Sequence, residues 1–218
     1  MPGKKPKLEV IVAGLDGART AADLHQLLIC QSPLTRLGPW FLADVYYDCL
    51  IGLGLGNIIL ANVDGETAGF ITYTLDTKTF LSEVARRRWA TLAAVAKQMW
   101  RKPLTTAATV IQSALIVLRQ NAEPGAEIRG EFLTMGVVDR FRDPAFIRAS
   151  GISVAKSLIR AAQAEVAAGG GQNVKLFTLA NAVGPNALYT MMGATKRWSG
   201  MVRGVNANYL VLPTTRQR

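Results

Sequence analysis

Residues 131–153, EFLTMGVVDRFRDPAFIRASGIS, pass from a short apolar run through a polar loop into a glycine-bearing helix start, a succession that many α/β proteins share and from which the rest of this chain can be hung. Phe132, Thr134, Gly136 and Val138 alternate with Leu133, Met135 and Val137, which predicts a strand buried on both faces. Asp139, Arg140, Arg142, Asp143 and Pro144 end it. From Gly151 onward Ile152, Ala155, Leu158, Ile159 and Ala162 recur at helical spacing, so the amides from Arg148 to Ser153 are expected at a helix N-terminus. Such amides have no partner inside the helix, and with the positive end of the helix dipole they favour an anion. The small residues Ala149, Ser150, Gly151 and Ser153 would let phosphate oxygens approach closely.

The rest of the chain suits an α/β fold. Leu8–Val12 alternates as a first strand, ended by Asp16-Gly17. Thr20 is expected to cap a helix with Leu24, Leu27 and Leu28 on its apolar side, and His25, a lone histidine, is assigned no role. Gly38-Pro39 opens a second helix with a broad apolar stripe, closed by the GLGLG turn at 52–56. That glycine run precedes a strand rather than a helix and so reads as a turn, not a nucleotide loop. Residues 57–63 and 68–75 form a hairpin around Asp64-Gly65-Glu66. Residues 174–179 are a further strand, 185–192 a short helix, and 196–204 and 206–213 two closing strands.

Between about 78 and 124 the periodicity predicts an inserted helical hairpin broken at Pro103. Three roles compete for it, ranked in this order: cover for an acceptor cleft, a homodimer surface, and a basic amphipathic element in peripheral contact with an anionic membrane.

With 218 residues, half of them apolar, the chain is expected to form a single domain spanning 1–218 that builds its core without staples. Two cysteines, Cys30 and Cys49, and one histidine give no metal-ligand spacing and no disulfide framework, so no metal is expected. The N-terminus has no apolar signal core, and no run is long enough to span a bilayer, so a reducing cytoplasm is the expected location. The net charge of +10 favours anionic partners, yet the basic residues are scattered and no nucleic-acid-binding motif is present.

Arg148-Ala149-Ser150-Gly151-Ile152-Ser153 resembles the Arg/Gln-x-x-Gly-x-Gly/Ala phosphate loop of the GNAT superfamily of acyl-CoA N-acyltransferases, with Ser153 where Gly or Ala is usual. Residues 186–194, NALYTMMGA, are similar to that family's Leu-Tyr-x-x-x-Gly box, retaining Leu188, Tyr189 and Gly193. Gly69-Phe70 matches the family's way of opening its third strand. The resemblance implies a GNAT-type mixed, mostly antiparallel central sheet flanked by helices, with the helical hairpin inserted between the third and fourth strands. It implies acetyl-CoA as co-substrate. The pyrophosphate would lie on Arg148, Ala149, Ser150, Gly151, Ile152 and Ser153, the pantetheine arm along Met135, Gly136 and Val137, and Asn186 would join the coenzyme contacts. The stretches LGPWFLADVYYDCL and FLSEVARRRWATLAAVAKQMWRKP are also similar to a GNAT subgroup found beside cell-envelope polysaccharide genes, which points to amino sugars among small-molecule amines.

Acyl transfer from a thioester to an amine needs a neutral nucleophile, a polarised carbonyl and a donor for the departing thiolate. Glu131, four residues before Met135, is the candidate base, and main-chain N–H groups around Met135 to Val137 are candidates to polarise the carbonyl. By the resemblance, Tyr189 is the acid. No cysteine has a motif-placed histidine, so direct transfer in a ternary complex is expected rather than an acyl-enzyme. A second reading is a protein that binds acyl-CoA as a sensor or scaffold without turnover.

Overall fold

The chain alternates between β1 (Leu8–Val12), β2 (Gly56–Val63), β3 (Glu66–Thr74), β4 (Glu131–Val137), β5 (Asn173–Leu179), β6 (Thr195–Val202) and β7 (Val205–Pro213), and the helices that join them. This computed structural model describes residues 5–30, 32, 34–86, 127–202 and 205–214. The strands form one seven-stranded sheet in the order β1-β2-β3-β4-β5-β7-β6. Every neighbouring pair is antiparallel except β4 and β5. The hairpin between β2 and β3 turns at Asp64 and Gly65, both at positive φ, as an Asp-Gly turn demands.

Helix α1 (Ala18–Leu28) and a continuous helix α2 over residues 39–52 cover one face of β2 to β4, and α3 (Thr77–Arg86) follows β3. The middle of α2, Leu42–Tyr47, is wound as a π-helix. Gly38 precedes Pro39 at the first position of α2, where a missing N–H costs nothing. On the other face lies α6 (Val154–Ala168), preceded by the short helices α4 (Asp139–Arg142) and α5 (Pro144–Ser150), with α7 (Val183–Met191) after β5. One core cluster lies under α6 around Ile59, Ile71, Phe132, Leu158 and Leu176; a second lies under α1 and α2 around Leu42, Tyr47, Ile58, Leu60 and Phe70. Each fully buried Leu, Ile or Phe there contributes about 1.5–3 kcal/mol.

Three expectations are corrected. Thr20 does not cap α1, because a 3-10 turn at Leu15–Gly17 leads straight into the helix and Gly17 is the N-cap. Leu27 faces solvent; the buried stripe of α1 runs through Ala18, Ala21, Ala22 and His25, small residues that bring the helix close to the sheet. The polar stretch after β4, where Asp139 to Pro144 were expected only to end the strand, folds as two short helices. Pro144 starts the second, and the Asp143 carboxylate accepts the Ala145 N–H at 2.6 Å. Of the insertion expected at about 78–124, α3 forms the start; residues 87–126 lie outside the described residues. No helix among the described residues is long and apolar enough to cross a membrane.

Candidate functional site

The site begins with a parting in the sheet. β4 and β5 pair at only two positions, Glu131 with Lys175 and Phe132 with Leu176. Beyond them β4 stays with β3 as far as Val137, while β5 stays with β7 as far as Leu179. The two halves of the sheet therefore diverge in a V, and the edge of β4 from Leu133 onward has no ladder partner on the β5 side among the described residues. A bulge accompanies the parting: Phe132 pairs with Tyr73 and Thr134 with Thr72, leaving Leu133 as the extra residue. Bulges re-aim a strand and end its pairing on one side. Main-chain groups freed in this way are the donors and acceptors a bound thioester arm requires.

Met135, Gly136 and Val137 lie along that open edge. Gly136 is needed for packing on the α1 side, since a Cβ there would sit 2.9 Å from Leu28 Cδ1 and 3.0 Å from Phe70 Cε1. Met135 faces the other way, toward α7, where the Tyr189 hydroxyl donates to Met135 Sδ at 3.9 Å. Tyr189 is buried, and burial pushes its phenol well above the usual tyrosine range, so the hydroxyl stays protonated. The structure thus brings together residues 135–137 and Tyr189, which the sequence separates by some fifty positions.

The turn expected to bind an anion does not lie where the sequence places it. Arg148, Ala149 and Ser150 form the last turn of α5, so their N–H groups belong to a helix C-terminus and not to an N-terminus. The Gly151 N–H bonds Ile147 O at 2.9 Å, with Gly151 at φ +72° as a left-handed cap. The Ser150 hydroxyl is engaged as well, donating to Phe146 O at 2.7 Å and accepting the Ile152 N–H at 3.0 Å. The helix that points its N-terminus at the V is α6, whose N-cap, Ser153, makes no side-chain cap. The amides of Val154, Ala155 and Lys156 are its first-turn donors. These three residues were missed in the sequence. An N-terminal Asp-Pro and a Gly seven residues after the Pro mark α5 as a capped helix, and reading them that way would have moved the turn. Arg148 and Lys156 take part in none of the ion pairs described, whereas Arg140 pairs with Glu66 and Arg142 with Asp139.

Asn186 is not free for coenzyme. Its amide nitrogen donates to Ala182 O at 2.7 Å and Leu179 O at 3.0 Å, and its oxygen receives the Thr178 hydroxyl and, at 3.0 Å, the Asn208 amide. The side chain clasps α7 to the ends of β5 and β7.

Glu131 lies at the vertex of the V and is 1% exposed. Its Oε2 accepts the Thr77 hydroxyl at 3.0 Å and lies 3.9 Å from the Lys175 ammonium, itself buried. A charged pair is tolerated in such a place only with this kind of hydrogen-bonded company. On the α1 side, His25 is buried with Nδ1 2.8 Å from the Tyr47 hydroxyl, and burial lowers its pKa to about 4, so it is neutral. Among the described residues no group of three His, Cys, Asp or Glu side chains gathers as metal ligands do.

No family model and no curated protein matches the chain. Solved structures do. One acetyltransferase is 15% identical over 95% of this chain and 100% of its own, with a TM-score of 0.60. YncA of Salmonella typhimurium, a candidate acetyltransferase solved with its cofactor acetyl-CoA, is 10% identical over 96% of this chain and 95% of its own at 0.56. A Streptococcus pneumoniae acetyltransferase of the GNAT family is 13% identical over 95% of this chain and 99% of its own at 0.51. The likeness is one of fold and runs nearly the full length of each chain.

Proposed function

We propose that this chain, which has the fold of the GNAT acetyltransferases, moves an acetyl group from acetyl-CoA to the primary amine of a small molecule. The observation that carries the reading is the V between β4 and β5, with a bare helix N-terminus at one end and a buried carboxylate at its vertex. In this reading the pyrophosphate rests on the first-turn amides of α6, beside the turn at Gly151 to Ser153, with Arg148 and Lys156 supplying charge. The pantetheine arm adds to the open edge of β4 along Met135, Gly136 and Val137, as an extra strand would.

The acceptor amine loses a proton to Glu131, and its nitrogen lone pair attacks the thioester carbonyl carbon. Main-chain N–H groups of β4 stabilise the oxyanion, and the carbon–sulfur bond breaks to leave a thiolate. The high pKa of Tyr189 decides how it helps. A thiol of pKa about 8.5 is a stronger acid than this phenol, so Tyr189 stabilises the thiolate by donating a hydrogen bond and keeps its proton. Transfer is direct, in a ternary complex, and the reading extends to an enzyme of the cytoplasm built as a single domain. Mixing the protein with acetyl-CoA and a panel of amines while following free thiol tests it. Thiol release that depends on an amine supports it; tight acetyl-CoA binding without release for any amine would leave a binding protein instead.

A further inference from the structure

The face of the sheet opposite α6 carries a polar row that the transfer chemistry does not use in full. Glu131 pairs with Lys175 across β4 and β5, Lys175 and Phe177 lie one pleat apart on β5, and Phe177 pairs with Tyr209 of β7. Trp198 of β6 pairs in turn with Tyr209. Side chains two apart along a strand, and those directly opposite across a ladder, share a face. The row therefore runs outward from the vertex of the V as carboxylate, ammonium, stacked aromatics and indole, with the Phe177 and Tyr209 rings 5.6 Å apart and 30° from parallel.

Within this row the Tyr209 hydroxyl is the anomaly. Tyr209 is 4% exposed, and its Oη has no hydrogen-bond partner among the described residues. Polar groups on the opposite face of the same strands are tied off: the Ser199 hydroxyl donates to Asn208 Oδ1 at 2.7 Å, and Asn208 Nδ2 donates to Asn186 Oδ1 at 3.0 Å. A buried hydroxyl left unpaired costs about 1–3 kcal/mol, which a ligand atom can recover. Burial and the carboxylates of Glu127 and Glu131, opposed by Arg197, push the phenol up to about 12, so it is a donor at any working pH.

We infer that Tyr209 is the acceptor-recognition residue of the transferase site, donating its hydroxyl to an oxygen of a hydroxylated primary amine whose nitrogen lies at Glu131. This rests on the acyltransferase reading for the identity of the site. β4 and β7 are two strand spacings apart, about 10 Å, with Lys175 and Phe177 of β5 between them, so an acceptor that meets both Glu131 and Tyr209 spans that interval less the reach of the two side chains. A monocyclic amine rich in hydroxyls meets each group in turn, its ammonium at Glu131, a ring face on the aromatic stack and an oxygen at Tyr209. An amino sugar has this chemistry; an alicyclic amine without oxygens has the shape but not the last contact.

The test uses the full chain and its Tyr209→Phe variant, titrated calorimetrically with glucosamine, with cyclohexylamine and, separately, with acetyl-CoA. The variant is expected to bind glucosamine about tenfold more weakly, since one hydrogen bond is lost, and cyclohexylamine as well as the wild type does. Its melting temperature should hold or rise, because no partner inside the protein is deprived. Equal glucosamine affinity in the two proteins, equal losses for both amines, or no glucosamine binding to the wild type would each overturn the inference. So would a clear drop in melting temperature, which would give the hydroxyl a structural partner. The acetyl-CoA arm is independent: if the coenzyme fails to bind, the transferase reading falls while the glucosamine comparison still decides the role of Tyr209.

Discussion

The Tyr189 hydroxyl lies 3.9 Å from Met135 Sδ, so α7, which follows β5, touches the strand on the far side of the V. This contact spans the gap that pairing leaves open. Replacing Tyr189 by Phe keeps the ring in the core and removes only the donor. The expected result is a fall in turnover of roughly tenfold, the worth of one hydrogen bond, with acetyl-CoA affinity unchanged. Because burial raises this phenol, the wild-type rate should show no descending limb from Tyr189 as pH approaches about 10, which a thiol-release assay across pH would reveal.

Gly151 adopts φ +72° with open space where a Cβ would stand. Gly151→Val would strain the left-handed cap by about 1–2 kcal/mol and project a branched side chain at the turn before α6. Acetyl-CoA should bind at least about tenfold more weakly, while circular dichroism shows a folded protein. Unchanged affinity would place the pyrophosphate elsewhere.

Glu131→Gln keeps an oxygen for the Thr77 hydroxyl and removes the charge beside Lys175. Stability should fall by about 1–3 kcal/mol in urea unfolding. The rate should fall roughly a hundredfold, most steeply below neutral pH where little free amine exists without a base. An unaltered pH–rate profile would reduce Glu131 to its structural pairing.

His25 makes stability depend on pH in a defined direction. Its folded pKa of about 4 lies below the ordinary 6.5, so the unfolded chain binds the extra proton. The neutral ring contributes its full stability above pH 6.5, and about 3 kcal/mol is lost as pH falls toward 4. Tyr47 is the titratable group bonded to it, and its hydroxyl, raised by burial, does not ionise in that window. Urea unfolding at several pH values should show a shallower acid-side slope for His25→Gln than for the wild type.

The fold could be read from local signals wherever one face of an element meets one environment. The Asp64-Gly65 turn, the alternation of β1 and the apolar run of β4 all fall where the sequence puts them. What escaped was set by contacts distant in sequence. The Leu133 bulge and the two-rung join of β4 to β5 depend on how β3 and β5 are held, and nothing in EFLTMGV marks them. The same is true of Asn186, whose box position suggests coenzyme but whose side chain is held by Thr178, Leu179, Ala180, Ala182 and Asn208. The helix N-terminus expected at Arg148 to Ser153 is different, because Asp143, Pro144 and Gly151 are local helix signals for α5 that the small-residue pattern obscured.

Since only two rungs join β4 to β5, the halves of the sheet are braced less by their own ladder than by α6, which packs against β1, β2, β3, β4 and β5 together. That helix works as a crossbeam. Its inward residues, Val154, Leu158, Ile159, Ala162 and Val166, set the angle at which the two arms stand apart. Trimming or enlarging them would narrow or widen the wedge while every hairpin kept its register, so the gape of this protein can be tuned from behind, by residues no substrate ever meets.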